Sequence, residues 1–205
     1  MKIDIIDIGI GNISSIENWL IRSNINYNKV LTPDDLTSDL IILPGVGSAK
    51  IYSEKLKEKK FNVAIANHLS KGGRLIGICL GFQILYDFLE EDGGVKGLGI
   101  LAGRVEQLSA KKSHTGWENL IFKKKYLSET WKMKSFTKSK KTVIRGRVFY
   151  NHNYGVVTSQ NKITKIEIPN YNDYVSIVTT DQIVGFQFHP EKSQWTGQIL
   201  IEMIY

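Results

Sequence analysis

The residues best placed to do chemistry are a lone cysteine between glycines and one histidine of four. Gly77-Ile78-Cys79-Leu80-Gly81 follows an apolar, strand-like run at residues 75–78 and precedes a helical stretch. That context fits a G-x-C-x-G nucleophile elbow, where glycines let the backbone turn sharply and project the thiol away from the sheet. The following helix would aim its first amides and its dipole at the sulfur, favouring the charged nucleophile. The N–H of Leu80 would point to where an oxyanion forms. A lone cysteine is otherwise a small buried hydrophobe, and spacing alone leaves both readings open.

A cysteine nucleophile needs a base. His68 sits in a helical stretch, while His114 and His152 lie in a β-rich half with no acid immediately placed to orient them. His189 ends a strand and is followed by Pro190 and Glu191. Residues i and i+2 of an extended chain share a side, so Glu191 could orient the ring and stabilise its imidazolium form. Cys79, His189 and Glu191 are therefore the candidate triad. Pro44-Gly45-Val46-Gly47 ends another apolar run, on the edge where open α/β sheets place their sites. A peptide flip there would let the N–H of Val46 or Gly47 join that of Leu80 in an oxyanion hole, although the same pattern also makes a plain tight turn. Gly9-Ile10-Gly11-Asn12 has the look of a phosphate-binding turn but lacks the third glycine and the later acid of a dinucleotide fingerprint.

Elements able to hold these groups are legible in outline. Residues 3–8, 30–31, 40–43 and 75–78 read as buried strands. Asn12 or Ser14 would cap a helix carrying Ile16, Trp19, Leu20 and Ser23 on one face. Residues 50–71 are helical in composition and stop at Gly72-Gly73, and a second helical stretch runs from Gly81 to about residue 91. This alternation predicts an α/β fold with a mostly parallel central sheet covered by helices on both faces. Past Gly97, β-rich pieces at 98–108, 117–122, 142–150, 155–159, 163–168, 174–179 and 183–188 suggest antiparallel ribbons appended to that sheet. A helix from about residue 193 closes the fold. With no repeat or Pro/Ser linker, the chain reads as one domain over residues 1–205.

Composition excludes several classes. The 205 residues are 42% hydrophobic and 23% charged, ordinary for a globular protein. No apolar run reaches the roughly 18 to 20 residues of a membrane span. Acids inside the first apolar run argue against a signal peptide, so the cytoplasm is expected. One cysteine excludes a disulfide framework and a Cys-rich zinc site, and neither metal nor cofactor is expected. The net charge of +7 is local: residues 123–147 hold ten Lys/Arg against Glu129. The remaining seventeen basic and nineteen acidic residues leave a net −2, which favours a solvated segment or an acidic partner over nucleic acid.

LPGVG, GICLGFQ and GFQFHPEKSQ together resemble the class I (triad) glutamine amidotransferases, across nearly the whole chain. Within that class the opening DIGIGN, SHTGWENL and FHPEKSQ look like the glutaminase subunits of imidazole glycerol phosphate synthase. The resemblance implies attack of Cys79 on L-glutamine, acid–base work by His189, and an oxyanion donor from the loop at Gly45. It also implies that Gln83 and Glu91 help hold the glutamine. Ammonia would pass to a (β/α)₈-barrel cyclase partner in a heterodimer. The chain departs from the family pattern at Ile8, at Ser48-Ala49-Lys50, at Glu118 and at the strand Phe149-Tyr150-Asn151-His152-Asn153-Tyr154, and its Lys-rich stretch is longer. These leave the triad untouched. They keep open a paralogue that feeds ammonia to another barrel for amidination of a surface-polysaccharide sugar. A non-catalytic, basic nucleic-acid-binding protein is the alternative outside the enzyme class.

Overall fold

A computed structural model describes residues 2–108, 113–134, 141–158, 164–168 and 171–205. In chain order they form β1 (Ile3–Ile6), α1 (Ile13–Arg22), β2 (Tyr27–Val30), β3 (Leu40–Leu43), α2 (Ala49–Glu58), α3 (Phe61–Ser70), β4 (Arg74–Ile78) and the one-turn α4 (Leu80–Gln83). Then come β5 (Tyr86–Leu89), β6 (Val95–Lys96), β7 (Leu101–Gln107), β8 (His114–Lys123), α5 (Glu129–Lys134) and β9 (Val143–His152). The chain ends with β10 (Tyr154–Val157), β11 (Thr164–Ile168), β12 (Tyr171–Thr179), β13 (Ile183–Phe186) and α6 (Gln194–Ile204).

The main sheet runs β2-β1-β3-β4-β13-β12-β10-β7-β5-β6, with β11 paired to β12. From β2 to β13 every pairing is parallel. Beyond β13 the pairings are antiparallel except β5 with β7. Successive residues of a strand face opposite sides, so a strand covered on both faces must be apolar throughout. Ile3, Ile5, Leu40, Ile42, Ile76 and Ile78 pack with Ile16, Trp19 and Leu20 of α1 and with Leu200 and Ile201 of α6. Ile6, Ile41, Leu43 and Leu75 pack on the other face with Tyr52, Leu56, Phe61 and Ile65 of α2 and α3. The exception inside β1 is Asp4, which is buried but accepts from Thr37 N (2.7 Å), Ser38 N (2.8 Å), Ser38 Oγ (2.7 Å) and Asn28 Nδ2 (2.9 Å). Burial alone would raise its pKa, and these donors outweigh that and hold it below the usual carboxylate range.

Several expectations need correction. The helical stretch 50–71 is two helices, broken where Lys60 takes a left-handed conformation (φ +60°), a break that no glycine or proline announces. The helix expected up to residue 91 is one turn long; Tyr86–Leu89 instead forms β5, because Tyr86 and Leu89 are buried where the segment pairs with β7. The second strand is Tyr27–Val30 rather than 30–31, and Leu31 is exposed. The pieces at 117–122 and 142–150 do form an antiparallel ribbon as expected: they belong to β8 and β9, which pair with each other as a separate two-stranded sheet. The Lys-rich stretch contains a short helix, α5, anchored by the fully buried Trp131 against the Arg74 guanidinium. Its residues 135–140, and the expected strand ends at 159 and 163, lie outside the described residues. Among the described residues no helix is long and apolar enough to cross a membrane.

Candidate active site

Parallel strands deliver their following loops to one edge, and β4 delivers Cys79 there. The residue has φ +52°, a strained conformation for a non-glycine residue, as a sharp strand-to-helix elbow requires. Cys79 N donates to Phe186 O (2.7 Å), tying the elbow to β13, while Cys79 O accepts from Phe82 N (3.0 Å) and Gln83 N (2.9 Å) to start α4. Leu80 opens that turn, so its N–H has no partner within the helix. Two glycines let the elbow meet the turn after β3. A Cβ on Gly81 would lie 2.0 Å from Leu43 O, and one on Gly45 would lie 2.1 Å from Gly81 N. Gly45 thus packs behind the site, leaving Val46 and Gly47 to line it.

His189 follows β13. Its N–H donates to Phe149 O (2.9 Å), and its Nδ1 lies 2.7 Å from Glu191 Oε1. The pairing expected from strand alternation is present, but a single 3₁₀ turn at Pro190–Lys192 produces it. The ring and the Cys79 side chain line the same cavity and interact electrostatically. Burial would lower the His189 pKa, but the bonds to Cys79 and Glu191 and their charges push it up to about 10. The ring is therefore held as imidazolium between sulfur and carboxylate.

These groups open into a cavity of about 180 Å³ lined by Val46, Gly47, Cys79, Leu80, Gln83, Glu91 and His189 from the predicted set. That is smaller than drug-sized pockets of about 300–1,000 Å³ and suits a small substrate. Gln83 Nε2 donates to Tyr154 O (2.8 Å) and Gln187 Oε1 (3.1 Å), so it braces the wall. Burial and neighbouring Asp92 raise the Glu91 pKa, opposed by a bond from Ala49 N–H.

Sequence reasoning missed the other wall, made by Asn151, His152, Asn153, Tyr154 and Lys192. His152 Nδ1 lies 2.8 Å from Tyr154 O, and its Nε2 lies 3.1 Å from His114 Nδ1. Burial drives the His152 pKa down to about 3, the Tyr154 carbonyl opposing and the charges of His114 and His189 adding to the fall. Contrary to expectation, His114 does have an acid: Glu118 Oε1 lies 3.4 Å from its Nε2. Their equal parity along β8 was the available signal. His68 instead braces the backbone through Arg74 O (3.0 Å).

The model of the class-I glutamine amidotransferase family matches residues 4–201, and the chain belongs to that family. Particular relatives narrow the likeness. The imidazole glycerol phosphate synthase subunit HisH of Aquifex aeolicus is 35% identical over 98% of this chain and 95% of its own length. The HisH subunit of Sulfolobus acidocaldarius is also 35% identical, over 100% and 98%. That of Thermotoga maritima is 30% identical, over 100% and 96%. Among solved structures, a glutamine amidotransferase superposes with TM-score 0.75 at 14% identity, covering 98% of this chain and 99% of that one. PurLQS from Thermotoga maritima gives TM-score 0.73 at 19% identity, covering 98% and 96%. These two share the fold, the mostly parallel sheet with flanking helices and antiparallel strands.

Proposed function

We propose that this chain, acting as one domain over residues 1–205, hydrolyses L-glutamine to glutamate and ammonia. The ammonia passes to a (β/α)₈-barrel cyclase partner, in a cytoplasmic heterodimer that forms imidazole glycerol phosphate for histidine synthesis. The observation that carries the reading is the strained Cys79 elbow facing one cavity with a His189 ring that Glu191 holds at 2.7 Å. The HisH names of the relatives supply the pathway.

Cys79 Sγ attacks the side-chain carbonyl carbon of glutamine. The developing oxyanion is held by the Leu80 N–H and by the turn at Val46 and Gly47. Imidazolium His189 gives its proton to the departing nitrogen, so the C–N bond breaks and ammonia leaves a glutamyl thioester on Cys79. Water then adds to the thioester while His189 takes its proton, and glutamate departs with the Cys79 thiolate and His189 imidazolium restored. Glu191 stabilises imidazolium throughout, and Gln83 and Glu91 shape the glutamine site.

Replacing Cys79 with Ala tests this. In complex with the histidine-pathway cyclase, glutamine-dependent synthesis should vanish while ammonia-dependent synthesis persists. Full glutamine-dependent turnover by Cys79→Ala would overturn the nucleophile. Glutamine hydrolysis stimulated only by a different barrel protein would redirect the ammonia to the sugar-amidinating role.

A further inference from the structure

The Gly9-Ile10-Gly11-Asn12 turn after β1 has a second use, because its last residue reaches the triad. The Glu191 side chain is fully buried, and its two oxygens are treated differently. Oε1 faces His189 Nδ1 at 2.7 Å and accepts from Asn12 Nδ2 at 3.2 Å. Oε2 is buried with no protein donor among the described residues. A carboxylate removed from water is costly unless donors surround it. Asn12 is thus the neutral group that offsets this charge and fixes which way the carboxylate faces.

The asparagine is itself aimed. Ser15 Oγ donates to Asn12 Oδ1 at 2.8 Å, which turns the NH₂ toward Glu191. Asn12 is the capping residue just before α1, where asparagine ordinarily caps the helix with its side chain, yet it makes no such bond. The side chain serves the triad instead of the helix. We propose that Asn12 is a positioning residue that holds Glu191, and through it the His189 ring, in line with Cys79. The inference deepens the glutaminase reading and rests on it for the reaction served.

Asn12→Asp is the discriminating variant. Aspartate has the same size and starts helices as well as asparagine, so a purely structural role predicts unchanged behaviour. As a positioning group it fails, because a second carboxylate oxygen replaces the donor facing Glu191. In the complete complex kcat for glutamine should fall at least about 30-fold, with KM within about twofold. In a Glu191→Gln background the same substitution should cost less than about threefold, because no charges then oppose. Cys79 is the chain's one cysteine, so iodoacetamide reports it alone, without glutamine or partner. Its alkylation should slow at least about threefold in Asn12→Asp as imidazolium loses support.

Alkylation and turnover equal to wild type would overturn the proposal, as would an equal cost in both backgrounds. A wild-type chain alkylated at Cys79 but unable to hydrolyse glutamine would sink the functional reading alone, and the alkylation comparison would still decide this one. Should Asn12→Asp fail to fold, Ser15→Ala frees the amide to flip and should lower kcat about threefold; no change would count against the proposal.

Discussion

In the parallel half of the sheet every group offered to the reaction follows the carboxyl end of a strand. Asn12 comes after β1, Val46 and Gly47 after β3, Cys79 after β4 and His189 after β13. The other half contributes Glu91, which follows β5, and the stretch Asn151–Tyr154, where β9 hands over to β10, and these residues line the cavity. The parallel half therefore carries the groups proposed to react, while the antiparallel half shapes what they meet. Damage to the first should abolish chemistry, and damage to the second should alter binding and stability.

The sharpest break is Gly81→Ala. The added methyl would stand 2.0 Å from the Leu43 carbonyl, a backbone atom that cannot turn aside. The elbow must separate from the turn at 45–47, and glutaminase activity should fall about 10³-fold, as for a displaced oxyanion hole. A variant with near-normal turnover would show that the two loops need not touch.

Glu191→Gln comes next, with a loss of about 10²-fold in kcat and a change in pH dependence. His189 is held up to about 10, against 6.5 ordinarily, despite burial, by Cys79 and Glu191. A raised pKa adds stability that is complete below about 6.5 and disappears as pH climbs through about 10. In the proposed mechanism activity needs the imidazolium proton for the leaving ammonia, so its alkaline limit should lie near 10. Removing the Glu191 charge removes one of the raising causes, so the limit must move to lower pH. An unmoved alkaline limb would assign the charge elsewhere.

The same division explains what was legible in the sequence. Continuous apolar strands such as 40–43 and 75–78, punctuated by Pro44-Gly45 and by Gly77 and Gly81, reveal the parallel half because burial on both faces and close backbone approach leave few residue choices. Cys79, His189, Glu191 and the turn at Val46 and Gly47 come with it. In the other half pairing partners are set by tertiary packing, so β5 reads as helix, and the β8–β9 ribbon is expected as a ribbon without its partners being named. Asn12 is hidden differently. Its place before α1 suggests a cap, and only the 179-residue return of the chain to Glu191 shows the other use.

The mildest prediction probes the wall. Gln in place of His152 keeps a donor for Tyr154 O and an acceptor for His114, so glutamine kcat/KM should fall only about threefold, mostly through KM. Its clearer signature is acid stability. Burial, opposed by the bond to Tyr154 O and joined by the charges of His114 and His189, lowers the His152 pKa to about 3. Between about 6.5 and 3 the unfolded chain takes a proton that the folded one refuses, so stability falls as pH falls through that window. Burial lowers the His114 pKa as well, with Glu118 opposing. His152→Gln deletes the first of these two burdens. Between pH 7 and pH 4.5 the variant should lose less melting temperature than wild type, whatever its starting value. Equal losses would mean that His152 gains its proton in the folded chain, and that this wall is wetter and looser than the reacting side.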